Sequence, residues 1–169
     1  MIAKPDYRIP FAAVSGVSQG TFFWRIIEKA WPDIEEPDEM KRLGFATPGQ
    51  RAILAITLFI REVDNGGLQQ FFGNSTGQIC DEVIVGFERL GAPDYAATVR
   101  QALSFFGPVR VTPDQAARSA RLSSLPRPER DAFFDPLDEK LFGETRLWPI
   151  FKLYVDKHPE EFFNDMQAH

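Results

Sequence analysis

The sequence predicts an all-α fold, a single-domain bundle of about eight or nine short to medium helices, and three observations predict it. No segment alternates apolar and polar residues as a half-buried strand would; apolar residues recur instead at helical spacing along most of the chain. Proline stands repeatedly at the first position of such a segment, where its missing N–H costs nothing and its fixed φ suits the helix. A length of 169 residues with 44% hydrophobic and 25% charged residues suffices for one core.

The first nineteen residues show no helical period. Thr21 to Trp31 then places Phe23, Ile26, Ile27, Ala30 and Trp31 on one side and is ended by Pro32. Thr47-Pro48-Gly49-Gln50 offers a hydroxyl cap, proline at N1 and glutamine three residues after the cap, the reciprocal arrangement that satisfies two orphan N–H groups. The helix it opens is apolar nearly all round from Ala52 to Ile60, as a central helix should be. From Gly77 to Leu90 the residues Cys80, Val83, Ile84 and Phe87 keep helical spacing, with Ser75 or Thr76 as the expected cap and Gly91 as the stop. Ala92-Pro93-Asp94 starts the next helix, whose apolar stripe runs Tyr95, Val99, Ala102, Leu103, Phe106. Beyond Pro108, helices are expected at 113–124, opened by Thr112-Pro113-Asp114-Gln115, and at 128–134, 136–142, 147–157 and 159–167. Residues 1–45 read as an extension with one helix, and 46–169 as the main helical domain packed with it.

Between two of these helices lies the most distinctive stretch, Glu62-Val63-Asp64-Asn65-Gly66-Gly67-Leu68-Gln69-Gln70-Phe71-Phe72-Gly73-Asn74-Ser75. Its glycines suit a turn or a close backbone approach, and its amides suit a partly buried polar network. Two readings follow. In one, Asn65 caps a helix end, Gly66 and Gly67 permit the turn, and Gln70 and Asn74 satisfy exposed backbone groups, making an architectural joint. In the other, Glu62, Asn65, Gly66, Gly67, Gln70 and Asn74 form a polar site for a small ligand or an enzymatic reaction. Glu62 and Asp64 do not read as a catalytic pair, since residues two apart on a helix point roughly 200° from each other.

The stretch resembles a bacterial family of unknown-function domains whose best-known member is a DNA-mimic protein that binds a transcription factor. The residues carrying the likeness are Gln50-Arg51, Glu62 to Gly67, Gln70-Phe71-Phe72, Asn74-Ser75, Gly77 and Leu90-Gly91-Ala92, with a similar C-terminal part from Tyr154 to Phe162. Asp64 stands where the family usually has asparagine. The resemblance implies a non-enzymatic module whose partner is a protein, in the DNA-mimic case a DNA-binding protein.

Other chemistry is expected to be absent. No nucleophile elbow, phosphate-cradling loop or dinucleotide fingerprint occurs, so no catalytic residue and no cofactor are assigned. His158 and His169 are eleven apart and Cys80 is the only cysteine, so no metal set is assigned and Cys80 reads as a packed thiol. A net charge of −5 without any Lys/Arg-rich cluster disfavours direct nucleic-acid binding. The longest apolar run, nine residues, is too short for a membrane span, and Met1–Pro10 lacks the apolar stretch of a secretory signal, so a cytoplasmic location is expected.

For a basic partner the sequence offers an acidic patch at Glu35, Glu36, Asp38 and Glu39, beside Asp33, and a second group at Asp135, Asp138, Glu139 and Glu144. The adjacent pairs Phe71-Phe72, Phe105-Phe106, Phe133-Phe134 and Phe162-Phe163 are candidates for a homodimer interface, because neighbouring helical residues point about 100° apart.

Overall fold

A computed structural model describes residues 5–31, 44–107, 113–143 and 146–166. The described residues form seven α-helices and no strands: α1 Gln19–Ile27, α2 Pro48–Gly73, α3 Cys80–Arg89, α4 Pro93–Leu103, α5 Gln115–Ser123, α6 Arg127–Leu141 and α7 Trp148–Lys157. Short 3₁₀ turns occur at Phe11–Val14, Glu28–Ala30, Ser75–Ile79, Ser104–Phe106 and Pro159–Glu161. The class is all-α as expected, with seven helices among the described residues where eight or nine were expected for the chain. Two compact units divide it, Met1–Leu54 with Thr145–His169, and Ala55–Glu144, the boundary falling inside α2.

In the first unit Ser18 caps α1 by accepting the Thr21 N–H, and Phe23 meets Phe151 of α7 edge-on with ring centres 5.6 Å apart. The capping box at the start of α2 forms as read: Thr47 N–H donates to Gln50 Oε1 and Gln50 N–H to Thr47 Oγ1, both at 3.2 Å. Glu161 adds a carboxylate at the same helix start, accepting the Gly49 N–H, where the helix dipole favours negative charge. The expected helix at 159–167 does not form. After the turn at Pro159–Glu161 the backbone pairs instead with the N-terminal segment, Ile9 N–H donating to Phe162 O (3.0 Å) and Asn164 N–H to Ile9 O (3.1 Å). Phe162 and Phe163 are thereby buried, and burying both rings outweighs one more turn of helix.

In the second unit α2 supplies the spine. Every residue from Ala55 to Ile60 is buried, and Phe59, Phe71 and Phe87 form an edge-on cluster with centres 4.8 and 6.0 Å apart. Each buried ring removes roughly 150–250 Å² from water. Phe71, Phe72, Phe105 and Phe134 are core residues and Phe106 and Phe133 are half-buried, so these adjacent pairs serve packing, not the outer interface anticipated for them. The helices expected at 128–134 and 136–142 are one helix, α6, running through Pro136. Pro136 and Ala132, the residue whose carbonyl loses a donor, both face solvent, where water replaces the bond. The second capping box is shifted: Asp114 caps α5 by accepting the Ala116 and Ala117 N–H groups, while Thr112 lies outside the described residues.

Arginines close several chain ends in this unit. Arg121 donates to Phe105 O and lies over the Phe105 ring, and Arg130 donates to Leu122 O near the end of α5. Positive charge at a helix C-terminus complements the dipole.

Candidate functional site

The glycine-and-amide stretch proves to be a kink inside α2. Gly67 takes φ +73°, a left-handed conformation that an L side chain adopts only with strain, and the helix resumes at Leu68. The bend and the end of the helix at Gly73 bring Glu62, Gln70, Asn74 and Thr76 together. Glu62 Oε2 accepts from Gln70 Nε2 at 2.7 Å and from Asn74 Nδ2 at 2.9 Å, while Oε1 accepts from Thr76 Oγ1 at 3.0 Å. One carboxylate thus collects three donors from the same unit. Thr76 does not cap the following helix as expected, because its hydroxyl is held by Glu62; the residue before α3 is Ile79.

Two further side chains lock the joint, and neither was assigned to it from the sequence. Asp138 of α6 reaches the kink, its Oδ1 accepting the Leu68 N–H at 2.8 Å where the helix restarts. It is 7% exposed, which corrects its reading as part of a solvated acidic group. Burial pushes its carboxyl up to about 6, against the lowering effect of the Leu68 N–H, and the nearby Asp135 adds to the rise. Arg118 of α5 is fully buried at the other end: Nε donates to Phe72 O (2.8 Å), Nη2 to Asn74 O (2.6 Å) and Nη1 to Pro113 O (2.7 Å). Gln115 and Ser119 donate to Gly73 O, so three side chains of α5 satisfy the last carbonyls of α2.

The remaining predicted residues fall differently. Asn65 and Gly66 are exposed, and Asn65 is the last helical residue before the non-helical Gly66 and Gly67. Gly67 is buried against Asp138. Asp64 points away from Glu62, accepting the Gly143 N–H at 2.9 Å, as two-residue spacing on a helix requires. Asp135 and Glu139 are exposed on one face of α6, whereas Glu144 and the patch of Asp33, Glu35, Glu36, Asp38 and Glu39 lie outside the described residues. Cys80 is buried, and burial, followed by the charges of Asp81 and Glu82, pushes its thiol up to about 12.

Two predictions arise here. Gln70→Ala and Asn74→Ala each remove a bond to a carboxylate in a half-exposed cluster, and each is expected to lower stability by about 1 kcal/mol. Thermal melts of the two variants check this; unchanged midpoints would deny the cluster a structural role. The second concerns pH. A folded-state value near 6 against an ordinary 3.8 means that folding favours the neutral carboxyl. The contribution of Asp138 is therefore fully present below the unfolded value and is lost as pH rises through about 6. Asp138→Asn keeps an oxygen for Leu68 and removes the charge, so it should gain stability relative to the original protein between pH 5 and 7.5. Denaturant unfolding at both pH values measures the gain, and a constant difference would refute it.

A family model described as DMP19-like protein matches residues 45–158, a span that contains the entire joint. No curated protein and no solved structure matches the chain.

Proposed function

The chain belongs to the DMP19-like protein family, and on that premise we propose that it is a non-enzymatic module that binds another protein, in the form of DNA-mimic-like capture of a DNA-binding protein. The observation that carries this reading is the internal use of the Glu62 cluster. Its carboxylate already receives Gln70, Asn74 and Thr76, so the most distinctive polar residues of the chain are engaged with one another. A small-ligand or enzymatic role for the joint would require donors directed at a guest, and these are directed at Glu62.

Recognition then falls to surface carboxylates. Asp135 and Glu139 are exposed one helical turn apart on α6, a rise of about 6 Å. Duplex DNA carries one negative charge per about 1.7 Å of helix axis, so a mimic needs closely spaced carboxylates of this kind. Glu35, Glu36, Asp38 and Glu39 extend the acidic inventory. No helix among the described residues is long and apolar enough to cross a membrane.

The test is capture from native extract on the immobilised chain at low and high salt, with excess duplex DNA as competitor. A DNA-binding protein that is held at low salt, released at high salt and displaced by duplex DNA is the expected result. Captured protein that DNA fails to displace would reject mimicry while leaving a protein partner. Neutralising Glu35, Glu36, Asp38 and Glu39, or separately Asp135 and Glu139, identifies the patch, since the partner is lost only when its contacts are removed. Self-association is a separate part of the proposal. Because most paired phenylalanines are inside, a homodimer would use other surface, and a light-scattering mass near 19.2 kDa at high concentration would refute it.

A further inference from the structure

His158 follows the last residue of α7, and Glu160 and Glu161 lie in the turn beside it. One potential ligand atom from each of the three lies within 4.8 Å of the other two. We propose that His158, Glu160 and Glu161 form a binding site for a divalent transition metal of the zinc type.

The donor set selects the class of ion. An imidazole nitrogen suits zinc, copper and nickel far better than magnesium or calcium, and two carboxylates neutralise a double positive charge. Donors around a tetrahedral ion with bonds of about 2.0–2.2 Å stand roughly 3.4 Å apart. His158 Nδ1 and Glu160 Oε1 are already 3.8 Å apart, so that pair is near coordinating separation. Closing the rest of the triangle takes inward movement of a little more than about 1 Å, which side-chain torsions of half-exposed residues supply.

Surrounding groups hold the ligands from outside. The buried Tyr154 donates its hydroxyl to Glu161 Oε1 at 2.8 Å, and its ring lies 4.5 Å from the His158 ring, fixing the imidazole plane. Glu161 Oε2 accepts the Gly49 N–H. Each carboxylate oxygen keeps a second lone pair, so metal binding and these bonds coexist. Such outer partners orient ligands and raise affinity. All three ligands span four sequence positions, so little chain entropy is lost in assembling them. Partial exposure leaves an entry path and a fourth position for water or for a partner's side chain. Sequence spacing alone does not mark the site, because its ligands converge only through the turn at Pro159–Glu161.

Titration calorimetry of the tag-free full chain with ZnCl₂ tests the proposal, with MgCl₂ as the reference and Co²⁺ absorption as a second readout. One saturable Zn²⁺ site per chain is expected, together with a visible Co²⁺ spectrum and no saturable Mg²⁺ binding. His158→Ala should abolish Zn²⁺ binding, and Glu160→Gln and Tyr154→Phe should each weaken it by at least about tenfold. His158 and Glu160 are half-exposed, so circular dichroism should show both of their variants folded. No saturable Zn²⁺ uptake by the original chain, equal Mg²⁺ uptake, or undiminished Zn²⁺ binding by His158→Ala would overturn the site. None of these results bears on capture of a DNA-binding protein, so the two proposals fail independently.

Discussion

Replacing Arg118 with methionine is expected to destabilise the protein by about 3–5 kcal/mol, because three carbonyls lose the charged donor they share. Methionine fills much of the volume but donates nothing. Phe72 O, Asn74 O and Pro113 O would lose their Arg118 donors, two of them in the stretch where α2 terminates. Each buried carbonyl left without a partner costs roughly 1–3 kcal/mol. Lysine should recover only part of the loss, since an ammonium cannot reproduce the planar fork that meets three acceptors at once. Gly77→Ala should act in the same direction: its methyl would stand 2.7 Å from Arg118 Nε and 2.9 Å from Phe71 O, so the guanidinium or the backbone must shift. Denaturant unfolding measures all three, and a loss below about 1 kcal/mol for Arg118→Met would show that water or other donors take over the carbonyls.

Gly67→Ala is expected to cost about 3 kcal/mol. With φ +73° and ψ −177°, Gly67 occupies a backbone region essentially reserved for glycine, which costs an L residue roughly 1–3 kcal/mol. The new methyl also meets Asp138 Oδ2 at 2.5 Å, pressing the carboxylate away from the Leu68 N–H it satisfies. A second background separates the two effects. In Asp138→Ala the carboxylate is gone, so Gly67→Ala should there cost only the backbone strain, and the excess in the original protein reports the contact with Asp138. Equal losses in the two backgrounds would remove Asp138 from the account of the kink.

Much of this architecture was legible in the chain because its signals are local. The Thr47–Gln50 box, the proline at the start of α4 and the apolar run from Ala52 to Ile60 concern residues within a turn or two of one another. The bend was legible as well, since paired glycines inside a helical pattern suit a turn or a close backbone approach. Its outline differs at one end, where Thr76, expected as a cap, joins the cluster.

The amino-acid sequence by itself determined the all-α class, the capping and termination of several helices, and the place where α2 must bend. Tertiary structure alone decided that Asp138 and Arg118, 70 and 46 residues from the groups they satisfy, secure the two ends of that joint. It also decided that α6 continues through Pro136 and that the last segment pairs with Ile9 instead of coiling. The physical reason is range. Propensity and capping act over a few residues, whereas an orphan N–H or carbonyl takes whatever partner the packed chain brings to it, and burial energy then overrides local preference.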